Sequence, residues 1–491
     1  MRRRHAAALL VVLGAGLVAG CSLEPRYVRP AAPVPASWPK GAAYALPGDE
    51  ALPRLAWRDL FTDPSLQTII AQALANNRDL RATIANVEAT RAQYRVQRAA
   101  LLPQVDAGAS VTVTHGTDLS TGTPVTGTSE VYAASIGTTA FELDLFGRVR
   151  SLTHAALDTY LGSAAGARSA RLALIAQVAS AYYQLAADRS ALAIAEQTAR
   201  SARSTVSLTD SRRKSGVASR VDLAQAQTIL ASAEAAAANY VTLVAQDRNA
   251  LELLMGGPVA DALLPASIEA VDGRIAPIPA GLGSGILLRR PDVVEAEFQL
   301  KATNARIGAA RAAFFPRITL TGVAGFASTA LSSLFSGGNF SWSVTPAATM
   351  PIFDAGANAG NLAYAKAERT VALAQYEKAI QTAFREVADA LARRGTIDRQ
   401  FAAQQANLTA AEVNARLSDA RYRAGIDSFL SDLDAQRTFY TAQQSLATTR
   451  LLRANSLITL YQAIGGDELS DTDLMAQGGA VPTQGAVGPS R

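Results

Sequence analysis

Histidine and cysteine are nearly missing from this 491-residue chain, which has three of the first and one of the second. His5 falls in a segment read below as a leader, so only His115 and His154 remain, without metal-ligand spacing. Cys21 has no partner for a disulfide within the chain. There is no phosphate-cradling loop, no His-Glu-x-x-His pair and no Gly-x-Ser-x-Gly nucleophile elbow; Gly281-Leu282-Gly283-Ser284-Gly285 reads as a plain loop. These gaps argue against an enzyme and against a bound cofactor or metal. A strong excess of one charge is missing too. The formal charge is +5, but Arg2, Arg3 and Arg4 lie in the leader. Without them 43 basic residues face 41 acidic ones, too even a balance for a nucleic-acid footprint. Past the leader no unbroken apolar run reaches about 20 residues, so any further membrane crossing is expected to use β-strands.

What is present begins with a secretory leader over residues 1–20: three arginines, an apolar run over 6–18 too short to span a bilayer, then Leu17-Val18-Ala19-Gly20-Cys21. Small residues before a cysteine resemble the lipobox of bacterial lipoproteins, which makes Cys21 the expected lipidation site and the only covalent group foreseen. An ordinary cleaved leader with an incidental cysteine is the plainer alternative. Several acyl chains, at ~0.8 kcal/mol per buried CH₂, would hold the chain to a membrane permanently. What is known of lipoproteins implies that Ser22, rather than Asp, favours the outer membrane.

The rest of the chain is written twice. Ala89, Ala92, Arg98, Ala99, Ala100 and Pro103 recur 213 residues later as Ala302, Ala305, Arg311, Ala312, Ala313 and Pro316. Farther on the offset is 209: Gly147 with Gly356, Gly216 with Gly425, Ser219 with Ser428, Gly256 with Gly465. A period this long means two copies of one structural unit, not a solenoid. The expected division is an N-terminal extension over 21–62, a first repeat over 63–257, a connector over 258–288, a second repeat over 289–466 and a polar, flexible tail over 467–491.

Each copy reads helix, two strands, very long helix, tight turn, helix. In copy one a helix is predicted over 64–101, rich in strong formers and stopped by Pro103. A hairpin follows over 104–145. Val105, Ala107, Ala109, Val111 and Val113 alternate with polar residues as a strand, a loop covers 116–130, and the return strand covers 131–145. The second hairpin covers 317–353. Ile318, Leu320, Gly322, Ala324 and Phe326 form one face of its first strand, and Pro346 interrupts its return strand over 340–353. Nothing breaks a helix over 148–214 or 357–423, each about 100 Å long. Four strands cannot close a barrel, and open edges are not tolerated in lipid, so copies of the chain are expected to share one.

Together these features resemble the outer-membrane factors of tripartite efflux pumps, the TolC-like family, and within it the lipidated OprM-like (NodT) branch. The stretches that carry the resemblance are Leu143-Asp144-Leu145-Phe146-Gly147-Arg148, Arg289-Arg290-Pro291-Asp292-Val293, Ala312-Ala313-Phe314-Phe315-Pro316, Pro351-Ile352-Phe353 and Leu433-Asp434-Ala435-Gln436-Arg437. The resemblance implies an α+β membrane protein. A homotrimer would share a 12-stranded outer-membrane β-barrel, continuous with a long coiled-coil periplasmic helical barrel. It also implies a belt built from the termini and the connector, a periplasmic adaptor and an inner-membrane RND transporter as partners, and outer-membrane lipid around the strands. Adaptor docking is expected at the small-residue turns over 215–219 and 424–428: Gly216, Val217, Ala218 and Ser219, and Gly425, Ile426, Asp427 and Ser428. Plain helical hairpin turns have the same composition. A periplasmic gate is expected at Tyr422, Leu430, Asp434 and Arg437; spacing puts the last three on one helix face. Asp432 lies on another face and could add to the negative field. A solvated face with an incidental ion pair is the alternative there. A duct for protein secretion and a non-channel structural coiled-coil lipoprotein are the competing functions.

Overall fold

A computed structural model describes residues 22–44, 56–117, 124–278 and 284–466. The leader, Cys21, residues 45–55 of the N-terminal extension, residues 118–123 of the first hairpin, residues 279–283 of the connector and the tail from 467 lie outside the described residues. The helices are α1 (Trp57–Leu60), α2 (Pro64–Asn76), α3 (Arg78–Ala99), α4 (Arg148–Lys214), α5 (Arg220–Met255), α6 (Ile268–Val271), α7 (Pro291–Ala312), α8 (Ala357–Arg423) and α9 (Phe429–Ala463). The strands are β1 (Asp106–Thr117), β2 (Pro124–Glu142), β3 (Arg317–Ser328) and β4 (Phe340–Thr349). They form one antiparallel sheet in the order β1-β2-β3-β4.

Two compact units emerge, and they cut across the sequence copies. Among the described residues, one takes its members from 22–31, Val87–Ser163 and Glu295–Tyr376, and holds the sheet; the other takes its members from 32–86, Ala164–Val294 and 377–466. The duplication is therefore a rule of construction and not a domain boundary, because each unit takes segments from both copies.

The two long helices, α4 and α8, have 67 residues each and the bounds expected from sequence. Four glycines punctuate the hairpins at duplicated places. Gly216 donates to the Arg213 carbonyl and Val217 to that of Arg212; Gly425 donates to Tyr422 and Ile426 to Arg421. The same paired bonds recur at Gly256 and Gly257, and at Gly465 and Gly466. Each is a Schellman stop, and the first glycine of each has φ between 76° and 94°.

The single helix expected over 64–101 is in fact two. Asn77 interrupts it: its Oδ1 accepts from the Leu80 amide and caps α3, while its Nδ2 donates to the Leu254 carbonyl at 2.9 Å. Copy two repeats this contact with different chemistry. Arg290, equivalent to Asn77, donates from Nη1 to the Ala463 carbonyl at 2.7 Å, and Ala463 is the equivalent of Leu254. In both copies a side chain before the helix caps an orphan carbonyl in the last turn of the hairpin's second helix.

Strand register sorts the side chains. The β1 face carrying Ala109, Val111 and Val113 lies opposite Ala134, Tyr132 and Glu130. Ala134 and Ile136 pair onward with Phe326 and Ala324, and these with Phe340 and Trp342. The two alternating patterns read from sequence thus meet on one apolar face. The other face presents mainly small residues such as Ser110, Thr112, Ser135, Gly325, Ser341 and Ser343. One extra residue in β2 keeps the faces in step: pairing passes from Thr138–Gly322 to Phe141–Leu320, with Ala140 at φ 51°. The loop expected over 116–130 is shorter, since β2 starts at Pro124. Both return strands end early, at Glu142 and Thr349. Pro346 sits in β4, an edge strand within the chain, where a missing N–H is tolerated.

In the sheet-bearing unit an N-terminal strap lies along α7. The Leu23 carbonyl accepts from Arg311, the Pro25 carbonyl from Asn304, and Glu297 accepts from Tyr27 and twice from Arg29. The six steps from Leu23 to Arg29 cover about 20 Å when extended, as do the fourteen helical steps from Glu297 to Arg311, so the strap runs fully extended. In the other unit the described part of the connector is structured: Phe61 bridges Ile275, the Thr62 amide donates to Arg274, and Ile268, Val271 and Ile275 are buried.

Helix α5 adds a property the sequence reading did not give it. It has an 18-residue window of mean hydropathy 1.3, and by length and composition it could cross a membrane; most of that window is unburied within the chain. Its half-buried Asp247 is raised to about 7 by burial and by the adjoining Asp188 carboxylate, beside which Tyr240 also lies. A raised carboxyl stabilises the fold below its unfolded pKa and loses that contribution as pH climbs through 7. Asp247→Asn should therefore raise the melting temperature at pH 8, with the gain shrinking towards pH 4. A pH-independent difference would refute the assignment.

Candidate functional site: the paired hairpin tips

The residues singled out for docking and gating come from four helices that meet at one apolar cluster. Ala226 of α5, Tyr422 of α8, and Phe429 and Leu433 of α9 are buried together, with Val206 of α4 and Ile229 of α5 packed against them. The Tyr422 and Phe429 rings are 5.3 Å apart, and the Arg212 guanidinium lies 4.7 Å above Tyr422. The cluster fastens one hairpin to the other beneath the two turns.

Each turn leads into a capped helix. Ser219 and Asp222 form a reciprocal capping box at α5. Ser428 accepts from the Ser431 amide at α9, and the Asp427 carboxylate takes two bonds from Arg421 at 2.6 and 2.8 Å. That pair holds the Asp427 carboxyl below its usual range. Val217 is 78% exposed and Ile426 65% exposed, and a Cβ built on Gly216 or Gly425 would meet nothing. Each turn thus offers one apolar side chain on a rigid backbone with open space before it.

The expected gate residues separate into two groups. Leu430 is 62% exposed, and Arg437 donates to Asp434 at 2.7 Å on the same solvent-facing side of α9. Tyr422 is not with them; it belongs to the cluster. Its cationic partner is Arg212, which the sequence reading missed. Overlaying the copies would have revealed it. Arg212 is the equivalent of Arg421, but Ala218 stands where copy two has Asp427, so Arg212 lacks that acid and turns to the ring. Asp432 does not reach the Leu430 face. It is 1% exposed, takes a bond from Gln436 at 2.9 Å, and burial pushes its carboxyl up.

The sheet, the two long-helix hairpins and their tips define an outer-membrane channel subunit. The profile of the outer membrane efflux protein family matches residues 69–257 and 282–466, one stretch per copy, and the chain belongs to that family. It is 45% identical to the toluene efflux pump outer membrane protein TtgC of Pseudomonas putida, over 97% of this chain and 98% of that one. It is 42% identical to the outer membrane protein OprJ of Pseudomonas aeruginosa, over 94% and 95%. Among solved structures, the open state of the Neisseria gonorrhoeae MtrE outer membrane channel is 37% identical, with a TM-score of 0.81 over 91% of this chain and 98% of that one. A membrane protein from Pseudomonas aeruginosa is 40% identical, with a TM-score of 0.81 over 91% of this chain and all of the other. The chain is accordingly an outer-membrane efflux channel protein, of a family of ducts and not of enzymes.

Proposed function

We propose that three copies of this chain share one 12-stranded barrel and form a passive, gated exit duct for apolar small molecules. The observation that carries this reading is the sheet. It has an apolar face, a small polar face and, within one chain, two free edges. A lone sheet of this kind is not stable in lipid, whereas a closed barrel puts the apolar face to lipid and the polar face to a lumen. The 12-residue strands β1 and β3 run about 38 Å, which at a ~45° tilt covers about 27 Å, near the hydrocarbon thickness. The apolar, uncovered α5 suits packing against a neighbouring copy. Relatives named for toluene, solvent and antibiotic efflux support the same class of cargo here. Energy would come from an inner-membrane RND transporter through a periplasmic adaptor, with Cys21 acylated. Restoring antibiotic and toluene tolerance to a strain lacking its own duct, together with channel activity in planar bilayers, tests the reading; a purified protein without conductance would sink it.

The turns at Gly216–Ser219 and Gly425–Ser428 would receive the adaptor. Valine at Gly216 or Gly425 projects outward but costs about 1–2 kcal/mol in the left-handed backbone region. Val217→Arg and Ile426→Arg avoid that strain. All four should abolish adaptor crosslinking and drug tolerance; normal crosslinking in the two arginine variants would remove the docking assignment.

A further inference from the structure

Beside the strap is a recess of about 360 Å³ whose polar lining is cationic: Arg26, Arg311, Lys366 and Arg369, with Asn304 and Thr370. No aspartate or glutamate lines it, and none of the four cations forms an ion pair among the described residues. Glu24, the nearest carboxylate on the strap, is turned to His154 at 3.0 Å. Two of the four cations are held in place. Arg311 donates to the Leu23 carbonyl at 3.2 Å, and Arg369 donates to Asn304 Oδ1 at 3.1 Å while Asn304 donates to Pro25. Arg26 and Lys366 are exposed at its rim. Four like charges around one hollow repel each other, and a fold keeps such a cluster at a cost unless an anion fills it.

We propose that this recess binds a phosphate group, the phosphodiester of a phospholipid headgroup in the leaflet that receives the N-terminal lipid. Guanidinium groups fork onto phosphate oxygens, and an ammonium adds a point charge. The volume admits a phosphate with its ester arms. The level is set by the chain: Arg311 stands six residues before Arg317, where β3 begins. The described strap begins at residue 22, next in sequence to the proposed lipidation site. Basic pockets at this depth select anionic headgroups, each cation adding about fivefold in affinity. The lipid source rests on the barrel and on acylation of Cys21 as proposed above; the phosphate chemistry rests on neither.

The test uses the full-length protein in neutral detergent, with its intact mass reporting acylation separately. Inorganic phosphate and a short-chain phosphatidylglycerol are titrated calorimetrically at low ionic strength. Both should bind, the lipid more tightly, and R26A with K366A should weaken both by about 25-fold. R306A removes an exposed charge from α7 outside the recess and should change affinity less than about twofold. Equal weakening by R306A, or no binding of either probe, overturns the site. Binding of phosphate but not of lipid keeps the phosphate chemistry and overturns the headgroup as its source.

Discussion

Replacing Arg290 with alanine should lower the melting temperature of the detergent-solubilised protein by several degrees, with a loss of about 2–4 kcal/mol. Arg290 is 7% exposed and meets three acceptors: the Ala463 carbonyl at 2.7 Å, Asp292 through two bonds, and Glu386 at 2.7 Å. Removing one partner of a buried pair costs about 3–5 kcal/mol. Here the figure falls lower because the Asp292 and Glu386 side chains stay more than a third exposed and water can take over their solvation. The Ala463 carbonyl has no such relief. Copy one shows how far a neutral group can substitute, since Asn77 caps Leu254 with an amide alone. Arg290→Asn should therefore recover part of the loss, and Asp292→Asn or Glu386→Gln should cost only about 1 kcal/mol each. A melting temperature for Arg290→Ala within about 1 °C of the parent would show that the junction does not depend on this cap.

The second large effect is expected in conductance. In a trimer three copies of Leu430 would face one another across the closed end of the duct. An apolar constriction sheds water, and ions do not cross it while it is dry. Leu430→Ala widens the ring and should raise single-channel conductance severalfold and make cells leaky to large antibiotics. Asp434→Ala should act in the same direction by releasing Arg437, and Asp434→Asn should reduce the preference for cations. The Asp434–Arg437 pair itself, exposed on both sides, contributes under ~1 kcal/mol, so it would tune such a gate rather than lock it. Unchanged conductance and selectivity in all three variants would return this face to an ordinary solvated helix surface. Tyr422→Ala supplies the contrast. It empties the cluster under the tips and should reduce stability before it alters conduction.

What could be read from the sequence followed from strong local physics. Uninterrupted helix formers ended by Gly216 and Gly425 gave both long helices their bounds. The copies were visible because proline and glycine stops repeat in order. Features that depend on distant partners were not visible. Asn77 carries no strong break signal by itself; it breaks the helix because the Leu254 carbonyl arrives opposite it. In sequence the start of β2 looks like a loop, because a strand with a small polar face has the Gly, Ser and Thr composition of one. The family resemblance puts Tyr422 at the gate with Leu430, whereas burial separates them. Arg212 escaped notice because its ordinary acidic partner is missing from its own copy.

The extra residue at Ala140 acts on β2 as a frame correction. A strand is written in a two-letter alternation, in and out, and every residue beyond an insertion changes sides. Strict alternation from Thr138 would put Phe141 on the polar side and Glu142 on the apolar one; the bulge at Ala140 absorbs one residue and reverses that. Glu142 then meets Arg148 at 2.6 Å and Arg317 at 2.7 Å, fastening β2 to the start of α4 and to β3. Regular pairing of the same residues, with no bulge, would leave composition unchanged yet transpose the last two letters: an aromatic ring would cross to the small polar face, and a carboxylate to the apolar one, away from its two cations.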